Sequence, residues 1–224
     1  MALYRRDLPD AVLSKLHQGC VIPAHPLALT SERELDERHQ KALTRYYIDA
    51  GAGGLAIGVH TTQFEIRDEG LYEPVLALAA ATARAWTDVP LVMIAGVVGS
   101  TPQALAEAQV AVGLGYHAGL LNLAAFEGRS EGEMIDHCEA LSAEIPLVGF
   151  YLQSAVGGVR LGENFWRRFA NIDNVIGIKI APFNRYQTLD VIRGVVAAGA
   201  EDRIALYTGN DDHIILDLIT PFQV

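Results

Sequence analysis

The chain has 224 residues, a formal net charge of −10, 50% hydrophobic and 20% charged residues, and two cysteines, Cys20 and Cys138. At roughly 150 residues per domain this allows one large domain or two small ones, and a chain of this size buries about 70% of its unfolded surface without needing a disulfide framework. The acidic balance disfavours nucleic acid and anionic membranes as partners. No apolar run approaches the ~18 residues of a membrane span, and no signal-peptide pattern opens the chain, so the expectation is a cytoplasmic protein in a reducing compartment.

In chain order, a short apolar run at Gly19 to Pro23 is followed by Ser31-Glu32-Arg33-Glu34. This reads as a capping box opening a helix with Leu35, Leu43 and Tyr46 or Tyr47 on its apolar face and a stop at Gly51. A second run, Gly54 to Gly58, precedes a helix over 69–86, and a third, Leu91 to Ala95, precedes Thr101-Pro102. There threonine is an N-cap, proline occupies the first turn, and Leu105, Ala108 and Val112 form an inward stripe. Gly119 to Leu123 leads into a second capping box at Ser130 to Glu133, and Leu147 to Tyr151 leads into a helix over 163–170. Val175 to Ile180 leads into a helix over 186–198, and Ile204 to Tyr207 is the seventh run.

Runs this short, apolar at successive positions, suit strands covered on both faces, and the segments between them are long enough for crossover helices. Seven such βα units predict an α/β chain of the (β/α)₈ TIM-barrel type more readily than a doubly wound sheet. The expectation is one barrel domain over 1–224, truncated after the seventh unit, with the eighth strand and C-terminal helices absent from the sequence. An open seven-stranded barrel would expose edge hydrogen bonds and core side chains.

Among three lysines and fourteen arginines, Lys179 stands out because it sits near the C-terminal end of an apolar strand, Val175-Ile176-Gly177-Ile178-Lys179-Ile180. Barrel enzymes place catalytic groups there, and desolvation favours the neutral, nucleophilic amine. A lysine snorkelling from a strand end, or pairing with a core carboxylate, fits the same residues. Tyr151 closes the strand Leu147-Val148-Gly149-Phe150-Tyr151, so its phenol could serve the same mouth or be a core tyrosine with a satisfied hydroxyl. Thr61 and Thr62 follow the second strand and could hold a carboxylate or form an ordinary turn.

Taken in order and spacing, these pieces resemble the dihydrodipicolinate synthase and N-acetylneuraminate lyase family of Schiff-base-forming barrels. They are the lysine strand, the tyrosine strand, Thr61-Thr62, Ala95-Gly96 with Gly99-Ser100-Thr101, and Gly209-Asn210-Asp211-Asp212. The resemblance implies a class I aldolase or lyase in which Lys179 forms an imine with pyruvate or another 2-oxo acid. Tyr151 would relay protons, and Thr61 and Thr62 would bind the carboxylate. It also implies an aldehyde as second substrate and a dimer or tetramer.

The departures are specific. His60-Thr61-Thr62-Gln63-Phe64 lacks the flanking glycines and the glutamate of the family motif, Val156 replaces the arginine that receives aspartate semialdehyde, and Ala124-Ala125 replaces a tyrosine pair. A genuine dihydrodipicolinate synthase is therefore disfavoured. A dehydratase or hydratase-aldolase using the same imine, or a catalytically silent ligand-binding barrel, remains the alternative. No metal or other cofactor is expected: the seven histidines form no compact ligand motif, and Gly51-Ala52-Gly53-Gly54 precedes a strand where a dinucleotide loop would follow one.

Overall fold

A computed structural model describes residues 2–222. Six strands form one parallel sheet in chain order: β1 (Gly54–Ile57), β2 (Val92–Val97), β3 (Ala118–Leu121), β4 (Leu147–Leu152), β5 (Val175–Ala181) and β6 (Ala205–Thr208). Crossover helices connect them: α3 (Tyr72–Trp86), α4 (Thr101–Gly113), α5 (Glu131–Ser142), α6 (Glu163–Ala170) and α7 (Arg185–Ala197). Before the sheet come α1 (Asp10–Gln18) and α2 (Glu37–Asp49), and after it α8 (Ile214–Ile219).

Strand side chains alternate between two apolar layers, as a pleated strand requires. The helix-side layer includes Leu121, Tyr151, Ile178 and Ile180 packed with Phe165, Trp166 and Phe169. The interior layer includes Ile94, Leu120, Val148, Phe150 and Leu152 and meets Leu8, Val12 and Leu16 from α1 and the segment before it. This half-barrel is the α/β architecture expected for parallel strands buried on both faces.

The first expected strand is corrected. Gly19 to Pro23 is no strand; the chain from Val21 to His25 runs beside β1, with Gly53 N–H donating to Val21 O, Ala56 N–H to Pro23 O and His25 N–H to Ala56 O. A single parallel bridge, Ala24 to Ala56, results. Pro23 and Pro26 lack the N–H groups a longer ladder would use.

Two helix starts are corrected as well. Ser31 caps nothing: Thr30 Oγ1 accepts from the N–H groups of Glu32 and Glu34, Arg33 sits at φ 66°, and Leu29 bridges Leu35 in an antiparallel turn. The helix begins after Asp36, whose carboxylate accepts from His39 N–H, and its buried residues are Gln40 and Thr44. At α4 the cap position is Ser100, not Thr101, and the buried stripe runs through Ala104, Ala108 and Ala111. The Ser130 to Glu133 capping box and the 163–170 helix are found as read.

Among the described residues β6 has no second strand neighbour, so the sheet is open between β6 and the Val21 to His25 segment. Tyr207 reaches towards that opening, its hydroxyl donating to Leu16 O at 2.9 Å and lying 3.7 Å from Cys20 Sγ.

Candidate active site

Strand register determines which side chains share the interior mouth. Paired residues of a parallel sheet point to the same face. Phe150 pairs with Lys179 and Lys179 with Tyr207, which places all three in one row across β4, β5 and β6. Leu121 pairs with Gly149, and Asn122 N–H donates to Val97 O, so one further residue along the β3 edge Asn122 joins the row beside Phe150.

Lys179 is half-buried, and its Nζ lies 5.0 Å from the centroid of the Phe150 ring. Burial draws its pKa below the ordinary lysine value, and the Asp211 carboxylate after β6 opposes that shift. Gly209, whose N–H donates to Ile180 O, makes room for the lysine stem: a β-carbon there would come within 3.0 Å of Lys179 Cε. The amine therefore faces the interior mouth and is partly desolvated, which raises its neutral fraction, while the aromatic face beneath it favours the ammonium and works against that shift.

Tyr151 is not brought to this amine, and the phenol expected there is corrected. Alternation along β4 turns it to the helix side, where it is 1% exposed and packs on Trp166 at 5.2 Å between ring centroids. Its hydroxyl donates to Leu161 O at 2.8 Å and accepts from Leu161 N–H at 3.1 Å. On the lysine's face its register neighbours are Phe150, which carries no proton to relay, and Tyr207, whose hydroxyl donates to Leu16 O.

The threonine pair divides. Thr62 is buried, and its hydroxyl donates to His25 O at 2.6 Å while accepting from Gly58 N–H and Val59 N–H, so it ties the β1 exit to the Val21 to His25 segment. Thr61 is exposed on the short 3₁₀ turn His60–Thr62. Among the described residues the backbone N–H groups of His60 and Thr61 donate to no protein acceptor, so donors at this strand exit remain open.

Sequence reasoning missed the brace beneath that exit. Arg67 Nη2 donates to the carbonyl oxygens of Gly58 and Gly96 and to Glu107 Oε2, and Arg67 Nε donates to Glu107 Oε1 at 2.8 Å. Glu107 also accepts from Val98 N–H. Gly96 accepts close contact because it has no side chain: a β-carbon there would lie 2.2 Å from Gly58 O. The residues are far apart in sequence, and no local pattern pairs them. Among the described residues no group of three or more His, Cys, Asp and Glu side chains is placed to hold a metal ion.

Comparison with known proteins agrees with this lysine-bearing half-barrel. The sequence model of the Dihydrodipicolinate synthetase family matches residues 18–220. The chain belongs to that family. It is 25% identical over 179 residues to the 4-hydroxy-tetrahydrodipicolinate synthase of Persephonella marina, an alignment covering 77% of this chain and 60% of that protein. Among solved structures it is similar to a dihydrodipicolinate synthase from Acinetobacter baumannii complexed with pyruvate, with TM-score 0.76 and 22% identity over 87% of this chain and 65% of that one. It is also similar to N-acetylneuraminate lyase from Mycoplasma synoviae, with TM-score 0.71 and 19% identity over 88% and 64%. These structural likenesses concern the fold. The chain spans 60% of the P. marina protein's length and 65% of the A. baumannii chain. Family membership aligns the half-barrel with the corresponding part of larger barrels, and no helix among the described residues is long and apolar enough to cross a membrane.

Proposed function

We propose that this protein is a Schiff-base-forming lyase or aldolase acting on pyruvate or another 2-oxo acid through Lys179. The observation that carries the reading is the position of that amine, inside the mouth at the C-terminal end of β5, partly desolvated and set on the Phe150 ring. Family membership supports the chemistry, and a relative of the same fold is described in complex with pyruvate. In the proposed reaction the neutral amine attacks the keto carbon, the former carbonyl oxygen leaves as water after protonation, and the resulting iminium draws electrons from the adjacent carbon. Bond making or breaking at that carbon then follows. The open N–H groups of His60 and Thr61, with the Thr61 hydroxyl, fit a carboxylate at the β1 exit. The Thr62 hydroxyl is left out of that role because His25 O occupies it.

The acceptor differs from that of a dihydrodipicolinate synthase in this reading. Val156 lies half-exposed in the short turn Ser154–Val156 where a cation would be needed, and Ala124 and Ala125 are exposed in the turn Ala124–Phe126. A valine cannot form the two parallel hydrogen bonds by which a guanidinium takes up a carboxylate. The aldehyde is accordingly read as more apolar or bulkier. The full (β/α)₈ barrel belongs to the same reading, with further chain pairing along the open edge of β6, as do a dimer or tetramer and a reducing, cytoplasmic setting.

One observation favours a second reading. With Phe150 on the amine's face, Tyr151 behind the sheet and the Tyr207 hydroxyl donating to Leu16 O, neither phenol offers the imine a free proton, which suits a ligand-binding barrel that captures a 2-oxo acid without turning it over. Borohydride reduction in the presence of pyruvate, followed by intact mass and peptide mapping, tests both. The proposed chemistry requires an adduct on Lys179 that is lost in Lys179→Ala. Absence of that adduct would overturn it. An adduct without product from any 2-oxo acid and aldehyde pair would select the binding barrel, and loss of water from a hydroxylated 2-oxo acid would select a dehydratase.

A further inference from the structure

The Asn122 side chain, 4% exposed at the end of β3, holds the one buried amide nitrogen of the interior row that has no hydrogen-bond partner. Its orientation is fixed: Oδ1 accepts from Ala124 N–H at 2.7 Å, and a flipped amide would set N–H against N–H. Nδ2 is therefore the free end. Alternation places it on the interior face, because Leu120 belongs to the interior layer, Leu121 to the helix-side layer, and Asn122 continues the β3 ladder through its N–H to Val97 O. Across the row it lies two strands from Lys179 with Phe150 between them, about 10 Å from backbone to backbone at the usual strand spacing.

A buried donor without a partner costs free energy that a native fold does not ordinarily tolerate unless something else satisfies it, and an anionic oxygen does so best. The side chain cannot deliver a proton to carbon or oxygen, since an amide does not titrate in this range; it can only hold an acceptor. The hydroxyl of Thr62 offers the same ligand no donor, because it is committed to His25 O. We infer that Asn122 is a specificity residue whose Nδ2 donates to the carboxylate of the 2-oxo acid that Lys179 captures, so that carbonyl compounds with an adjacent carboxylate are selected over those without. This rests on the imine reading above and adds to it a buried side-chain donor to the carboxylate, beyond the His60 and Thr61 groups at the β1 exit.

The test is borohydride trapping on Lys179 with pyruvate and, separately, with acetaldehyde, which presents a carbonyl and no carboxylate. In Asn122→Asp the acceptor for Ala124 N–H is kept, but a carboxylate faces the ligand's own. The pyruvate concentration for half-maximal trapping is expected to rise roughly tenfold to a hundredfold, while acetaldehyde trapping stays as in the unmodified protein. Asn122→Leu, which adds no buried charge, reads the same contact should the aspartate impair folding, and the same split between the two carbonyl compounds is expected. Equal losses with pyruvate and acetaldehyde, or no loss with pyruvate in either variant, would overturn the assignment. Failure of the unmodified protein to trap either compound on Lys179 would instead overturn the imine reading on which it stands.

Discussion

Phe150 and Lys179 are register partners on adjacent strands, with the amine 5.0 Å from the ring centroid, whereas Tyr151, one residue on, turns its hydroxyl to Leu161 behind the sheet. A single-residue offset along β4 thus decides whether that strand offers the amine a proton donor. Phe150→Tyr should add a phenol on the lysine's face and speed adduct formation with pyruvate, by about tenfold if it acts as a general acid. Tyr151→Phe should leave the adduct rate unchanged and cost about 1–3 kcal/mol of stability, because Leu161 loses both hydrogen-bond partners. Trapping kinetics and urea unfolding of the two variants check the pair together.

Gly209 is the second steric determinant of the amine. Its φ lies outside the left-handed region, so alanine is acceptable to the backbone there, but the new β-carbon meets Lys179 Cε at 3.0 Å and Ala181 Cβ at 3.1 Å. Gly209→Ala is expected to displace the lysine stem and slow adduct formation severalfold, with a stability loss on the order of 1 kcal/mol. The slow adduct rate should not be recovered by raising the pyruvate concentration.

Lys179 is pulled below the ordinary lysine pKa by burial, with Asp211 working against the shift. Adduct formation should therefore rise with pH along a curve whose midpoint lies below the ordinary value of 10.5. For stability the sign is opposite to that of a salt-bridged lysine. Between the lowered folded pKa and the ordinary value the unfolded chain binds more protons, so stability rises with pH across that window. Lys179→Met should remove this slope and stabilise the protein near neutral pH, as read by urea midpoints across a pH series.

His137 shows the same linkage in the acidic range. Burial lowers its pKa to about 4, while its Nδ1 meets Thr101 Oγ1 at 2.8 Å and its ring lies 4.3 Å from that of Phe126. The unfolded histidine protonates below its ordinary value of 6.5, and the folded one only near 4, so stability should fall as pH drops through that interval. His137→Leu should flatten this part of the profile in urea titrations at the two ends of the interval.

What the sequence disclosed is what depends on period and local chemistry. The apolar runs located all six strands, Ser130 with Glu133 marked a cap, and the lone lysine in an apolar strand marked the amine that faces the mouth. What it hid depends on strand phase and long-range pairing. Leu147 to Tyr151 is apolar throughout, so nothing in it says which alternate residues face inward; a register shift between Leu147 and Val148 further separates counting from facing. The Thr62 hydroxyl could not be seen as occupied because its acceptor, His25 O, lies 37 positions earlier. Ser31 resembled a cap because the spacing of Ser and Glu was right, while Thr30 and the turn at Arg33 took the backbone donors first.

The Arg67 and Glu107 pair gives the most demanding stability test, since both side chains are about one-tenth exposed or less and the arginine also holds the carbonyls of Gly58 and Gly96. Glu107→Gln leaves the guanidinium without its counter-charge yet keeps one acceptor, and Arg67→Met with Glu107→Gln removes the charge altogether. The single variant is expected to lose about 3–5 kcal/mol, because breaking one side of a buried pair strands the other. The double variant should recover part of that loss, the remainder reflecting the two backbone carbonyls that Arg67 no longer satisfies. Because the Gly58 carbonyl follows β1 and leads into the turn that carries His60 and Thr61, and the Gly96 carbonyl fixes the neighbouring β2, the single variant should also raise the pyruvate concentration needed for half-maximal trapping while leaving acetaldehyde trapping on Lys179 unchanged. Urea unfolding of the single and double variants, paired with the two trapping assays, separates the brace's contribution to stability from its effect on the carboxylate end of the mouth.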